Sequence, residues 1–204
     1  MTKGIKVAWT GSGIVTPVGN TVAANYAAWK SGQHGFRPIT QVSTKKSVVQ
    51  VAGECLHLDQ MPMAKRKVRK FLNRKDLLCL VAAELALQDA NNPQTHYAPE
   101  RLGVYVGACS TQIGDLTPYF TSVLSCVTED LKSLDMRRFG SEVTQLINPF
   151  HAVKGLMNGG LSHISQIFNL RGDNCNYLDY EVSGLRRLRM PSSRFVGAPW
   201  TARS

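Results

Sequence analysis

Acidic residues are scarce in this chain: 14 Asp and Glu stand against 24 Lys and Arg in 204 residues, a net charge of +10. Charged residues of both signs make up only 19%, below the usual quarter, and hydrophobic residues 43%. This balance argues against disorder and predicts a globular chain that can bury on the order of 70% of its unfolded surface. Long apolar runs are missing too. The strongest, Leu77 to Ala83, stops at Glu84, far short of the roughly 20 residues a membrane helix needs. The opening Met1-Thr2-Lys3-Gly4 has no hydrophobic signal core, so a cytoplasmic protein without membrane attachment is expected. The five cysteines, Cys55, Cys79, Cys109, Cys126 and Cys175, form no CxxC pair and are odd in number. They suggest neither a disulfide framework nor a zinc site, and are read as small buried or half-buried thiols.

Several functional motifs are absent as well. Gly11-Ser12-Gly13 follows a β-rich run, but Thr16 stands at the third glycine of a dinucleotide fingerprint and no acidic residue lies about twenty positions on. There is no P-loop, HExxH or GxSxG, and His34, His57, His96, His151 and His163 are too far apart in sequence to form a local ligand set. No cofactor and no metal are expected. The basic run Lys65-Arg66-Lys67-Val68-Arg69-Lys70 contains no aromatic before Phe71 and no recognised nucleic-acid module, so nucleic acid is not the expected partner. An ordinary solvated basic face is the plain reading of that run.

What is present is a βα pattern. Ile5–Thr10, Val48–Gly53, Leu102–Val106 and Cys175–Tyr180 read as strands, and Thr21 as the N-cap of a helix closing at Gly32. A long helix is expected over about Ala64–Ala90, cationic at first and then apolar on nearly every face through Leu77, Leu78, Leu80, Val81, Leu85 and Leu87. Gly114–Gly140 reads as partly helical inserted structure, and the glycines of Ala152–Asn169 imply close backbone packing. Strands alternating with helices predict an α/β fold with a parallel sheet and helices on both faces.

The most informative stretch is Leu170-Arg171-Gly172-Asp173-Asn174, the strand after it, and then Glu181-Val182-Ser183-Gly184. A short strand running into a tight turn of small residues can present a nucleophile at a helix N-terminus, where the dipole favours an anion. Together with Val7–Asn20, Gly32–Ile39, Arg101–Gly107 and Asn148-Pro149-Phe150, this stretch resembles the β-ketoacyl-[acyl carrier protein] synthase family over about residues 4 to 185. The resemblance implies a thiolase-like fold with a mixed or parallel sheet, incomplete at about the first half of a full synthase, in fatty acid or polyketide biosynthesis. It also divides the chain into a truncated synthase-like N-terminal domain, residues 1–184, and an atypical basic tail, residues 185–204.

Matched to the family pattern Cys-x-Ser-Gly, Glu181 falls where the acylated cysteine would be. A carboxylate cannot carry the acyl chain as a stable thioester, and Cys175 lies six residues earlier, within the strand. The two histidines that assist decarboxylation and condensation in the family belong to its second half. Substituted nucleophiles are found in the similar chain-length-factor subunits of type II polyketide synthases, which usually carry glutamine there and pair with an active synthase. The resemblance therefore implies a non-condensing partner subunit. Its partners would be a full-length ketosynthase subunit or a second copy, and an acyl carrier protein docked on Lys65, Arg66, Lys67, Arg69 and Lys70 at the long helix's start. A truncated inactive remnant and a basic scaffolding or binding protein remain open as alternatives.

The tail is the third departure. Arg186, Arg187, Arg189, Arg194 and Arg203 carry five of the ten net positive charges with no acidic residue nearby. At a position where the family buries a helix, unpaired guanidiniums would cost several kcal/mol each. Both a frameshifted end and an exposed, RNA-like basic tail are consistent with that composition.

Overall fold

The computed structural model describes residues 8–65, 67–108, 117–146, 149–179 and 182–184. Helix α1, Val22–Ser31, has the predicted boundaries. The Thr21 hydroxyl accepts the Ala24 N–H at 3.1 Å, and Gly32, at φ 70°, returns its own N–H to Ala28 and Trp29 in the left-handed conformation that closes a helix. Strands β1, Phe36–Pro38, and β2, Val51–Gly53, then pair antiparallel with Phe36 opposite Gly53.

The long helix differs from expectation at its start. Residues Leu58–Gln60, Pro62–Lys65 and Lys67–Phe71 form separate 3-10 turns, and helix α2 runs only from Arg74 to Asp89. The reason is local: Asn73, in extended conformation, accepts the Asp76 N–H at 2.8 Å and so sets the N-terminus there. The basic run thus lies in irregular turns before the helix, not along its first turns. At the far end, Asn91 and Asn92 adopt positive φ and end the chain's helical course, as Asn91-Asn92-Pro93 suggested.

Strand β3, Val104–Gly107, pairs in parallel with β4, Asn174–Tyr177, in the register Val104–Asn174 through Gly107–Tyr177. Between them lie α3, Thr117–Ser125, α4, Met136–Leu146, the short α5, His151–Lys154, and α6, Gly159–Phe168. Helix α3 lies within the predicted inserted region Gly114–Gly140, α4 begins in it and runs past it to Leu146, and the two are joined by a turn that Val127 and Leu134 bridge. One core unites Leu72 with Leu77, Leu80 and Val81 of α2, Val104 and Val106 of β3, and Leu161 and Ile164 of α6. The long apolar helix therefore packs on a parallel strand and a second helix.

Three strand expectations change. The Val48–Gly53 strand is shortened to Val51–Gly53, and it joins an antiparallel pair with Phe36–Pro38, which the pattern did not reveal as a strand. Three residues carry too little periodicity to be read. Ala8, Trp9 and Thr10 belong to no strand, and the rest of that stretch lies outside the described residues. Among the described residues the sheet is two separate pairs, one parallel and one antiparallel. No helix among them is long and apolar enough to cross a membrane.

Candidate functional site

Parallel pairing brings the C-terminal ends of β3 and β4 side by side, with the Ala108 N–H donating to the Tyr177 carbonyl at 2.9 Å. In α/β folds this end of the strands is where loops converge on chemistry. The chain leaving β4 turns at Asp179, whose carbonyl accepts the Val182 N–H at 3.2 Å. Buried Ser183 pins that turn. Its hydroxyl accepts the Asp179 N–H at 2.7 Å and donates to the Ala108 carbonyl at 2.9 Å, 75 residues away in sequence. Gly107 makes this approach possible: a Cβ there would stand 2.5 Å from the Ser183 carbonyl oxygen and 2.6 Å from its carbon. Glu181, the residue at the nucleophile position, lies outside the described residues, as do Cys109 and the tail from 185 to 204.

Closer to the β3 entrance, the Tyr105 hydroxyl donates to the Asp173 carboxylate, and Gly172 sits where a Cβ would press on the Leu102 carbonyl carbon at 2.8 Å. The Leu170–Asn174 segment is thus held against the start of β3. Its glycine is needed for contact with the neighbouring backbone.

The Lys65–Lys70 run divides into residues with different surroundings. Arg69 is engaged: its Nη2 lies 3.4 Å from Asp59 Oδ1, and Arg74 Nη1 approaches the other oxygen of the same carboxylate at 3.8 Å. Lys67 and Lys70 are exposed. The Lys70 ammonium stands 4.9 Å from the Phe71 ring centre and 5.6 Å from that of Phe150, and the two rings meet edge to face at 4.7 Å. Lys65 closes the preceding turn, and Arg66 lies outside the described residues.

The thiols in this region are not activated. Burial pushes the Cys79 thiol up to about 11, reinforced by the nearby Asp76 carboxylate and opposed by Lys75. Burial likewise raises Cys55, against the pull of Arg74. Both are protonated at neutral pH and are poor nucleophiles. The Gly11-Ser12-Gly13 loop also serves packing: a Cβ on Gly13 would lie 2.0 Å from the Ala82 carbonyl oxygen, and the Ser12 N–H donates to Asp89 at 2.8 Å. Its glycines let the loop lie on α2. Among the described residues no group of three or more His, Cys, Asp or Glu is placed to hold a metal ion.

Sequence reasoning missed Asn73, Asp76 and Gly107 as organising residues. Asn73 had a detectable signal, being an N-cap residue three positions before Asp76, but the cationic run ahead of it looked continuous with the helix.

Parallel β3 and β4 end at the Ser183 contact, with α2 and α6 packed in one core beside them, an α/β arrangement. The chain belongs to the family described as beta-ketoacyl synthase, N-terminal domain, which it matches over residues 5–177. Among curated relatives, it is 29% identical over 108 residues to 3-oxoacyl-[acyl-carrier-protein] synthase 2 of Staphylococcus aureus strain MRSA252, covering 53% of this chain and 26% of that protein. The Synechocystis protein of the same name is 29% identical over 111 residues, covering 54% and 26%. The aligned part thus spans about a quarter of these relatives.

Solved structures share the fold. A beta-ketoacyl synthase from Burkholderia phymatum STM815 superposes with a TM-score of 0.65 at 20% identity, over 88% of this chain and 40% of that one. The ishigamide ketosynthase/chain length factor gives 0.58 at 18% identity, over 83% and 39%. A type II polyketide acyl carrier protein in complex with its ketosynthase, bound to the hexaketide, gives 0.58 at 16%, over 88% and 43%.

Proposed function

We propose that this chain serves fatty acid or polyketide synthesis as a non-condensing β-ketoacyl synthase-like subunit. The observation that carries the reading is Glu181 in the frame Glu181-Val182-Ser183-Gly184, within a chain matched to the family over residues 5–177. Ser183 supports that alignment, since it is the residue that anchors the turn after β4. A carboxylate at position 181 forms no thioester, so the transfer half of a condensation has no acceptor in this chain. The relatives named as synthases act on acyl carrier protein substrates by their names, and an acyl carrier protein is the proposed partner here. A full-length ketosynthase subunit or a second copy of this chain would complete the assembly.

The carrier would dock on the basic segment Lys65, Arg66, Lys67, Arg69 and Lys70. With Arg69 held by Asp59, exposed Lys67 and Lys70 are best placed to meet an acidic partner. Such rim contacts are worth about 0.5 to 1 kcal/mol each and are screened by salt. The test is incubation of the purified chain with an acyl carrier protein thioester, followed by mass spectrometry of the peptide containing Glu181. Absence of an adduct, together with salt-sensitive carrier binding, supports the reading. A stoichiometric acyl adduct on that peptide overturns it.

A further inference from the structure

Asp76 occupies the third position of α2 and is 2% exposed. Its carboxylate leaves its own helix and reaches the start of α6. There it accepts a hydrogen bond from the Gly160 backbone N–H. The approach depends on two adjacent glycines: a Cβ on Gly159 would stand 2.5 Å from Asp76 Oδ2, and one on Gly160 would stand 3.4 Å from Oδ1. Asn158, the residue at the cap position of α6, makes no side-chain cap hydrogen bond. The first N–H groups of a helix need an acceptor, and here a neighbouring helix supplies one.

The surroundings make this contact sensitive to charge. From α2, Lys75 Nζ lies 3.6 Å from Asp76 Oδ1 and the Cys79 thiol packs on the same side. From α6, His163 acts on the carboxylate through space, and its own Nδ1 is buried with no hydrogen-bond partner. From α5, the Lys154 carbonyl reaches Asn73, the residue that caps α2, accepting from its Nδ2 at 2.7 Å.

We infer that Asp76 is an interhelical cap, a pH-sensitive latch that seats α6 on α2 and thereby supports β4 and the Ser183 turn. Burial raises the Asp76 carboxyl above its usual range, with Lys75, the Gly160 N–H and His163 opposing. A carboxyl raised on folding contributes stability that is fully present below its unfolded value and is lost as pH rises through the folded value. Burial favours the neutral acid for the fold as a whole, whereas the contacts with the Gly160 N–H and Lys75 are stronger with Asp76 ionised, so the latch responds to its charge. From α6 the effect passes along the chain, because α6 ends at Asn169 and Leu170, whose N–H donates to Ser165, and continues directly into β4.

The test is amide hydrogen exchange on the full chain, corrected for the intrinsic pH dependence of exchange. Asp76→Ala should speed exchange at Gly160 to His163 by about fivefold to tenfold relative to the α1 amides, the loss expected for one cap. Asp76→Asn keeps the acceptor without the charge. It should hold protection near that of the parent while abolishing the acid-to-neutral change at these amides. Unchanged α6 exchange in Asp76→Ala overturns the inference. So does parental pH dependence in Asp76→Asn, or its loss in His163→Gln alone, which would assign the titration to the imidazole. Should Asp76→Ala fail to fold, the pH profile of Asp76→Asn decides.

Discussion

The two strand pairs of this protein sit in opposite environments. Around β3 and β4, backbones meet at van der Waals limits through Gly103, Gly107 and Gly172, and the α2 and α6 side chains close over the strands. Around β1 and β2, the face carrying Phe36, Pro38, Val51 and Gly53 is exposed, and neighbouring α1 buries Ala28 alone. Phe36 is 67% exposed and Trp29 76%, although both are large apolar residues. Each strand pair is about as long as the other, so length does not separate them. The difference lies in what covers them: the parallel pair is backed by helices adjacent in the fold, and the antiparallel pair has no such cover among the described residues. Backbone position is accordingly held more tightly at the parallel pair.

The largest expected contrast is in stability. Leu80→Ala, at a fully buried α2 position, should cost about 2 to 5 kcal/mol in urea denaturation. Trp29→Ala should change stability by about 0.5 kcal/mol or less. A comparable loss from Trp29→Ala would show that the α1 face is covered in solution and would erase the contrast. Next in size, Gly107→Val should cost about 2 kcal/mol, because the new Cβ meets backbone atoms of Ser183 that have little room to yield. A thermal melt with an unchanged midpoint would show that the turn does not close on β3.

Smaller and pH-dependent effects follow. Glu54 accepts hydrogen bonds from the Thr40 hydroxyl and from the Thr40 and Gln41 N–H groups, chiefly the hydroxyl holding its carboxyl below the usual range against a weaker opposing burial. Its contribution is present above the unfolded value and lost as pH falls through the folded one, opposite in sign to that of Asp76. Glu54→Gln should therefore lose part of the parent's acid-limb stability change, and Asp76→Asn the part with the reverse slope. Identical pH curves for the parent and both variants would contradict the assignment. The smallest effect belongs to Lys67→Glu with Lys70→Glu. Stability should stay within about 0.5 kcal/mol, while carrier-protein association weakens by about 0.5 to 1 kcal/mol per reversal at low salt. Carrier binding unchanged by the double reversal would remove the docking assignment.

Legibility in the sequence followed the same division. Elements with strong local signals were readable: Thr21 and Gly32 bracket α1 as caps should, and the apolar run through Leu80 and Val81 marks the helix that fills the core. The start of α2 was misread because lysine and arginine are good helix formers, and only the Asn73 cap shows that the helix begins after them. Strand β1 was missed because its three residues include Pro38, which reads as a strand breaker away from an edge. The proposed site was read from the motif frame Glu181 to Gly184, of which the described residues hold Val182, Ser183 and Gly184. Its anchoring was not legible, since Ser183 meets Ala108 across 75 residues and no periodicity encodes such a contact. Asp76 was hidden for the same reason: an aspartate in a helix's first turn satisfies a local rule, and only the fold brings Gly159 and Gly160 to it.

The central claim is that residue 181 sits in the family's nucleophile frame but does not accept an acyl group. Intact-protein and peptide mass spectrometry after incubation with an acyl carrier protein thioester tests it most directly. The expected result is an unmodified peptide spanning Glu181 and no ketoacyl product on addition of a malonyl thioester, for the parent and equally for Glu181→Cys as regards product. A stoichiometric adduct on the parent's Glu181 peptide, or ketoacyl product from the chain alone, would contradict the account.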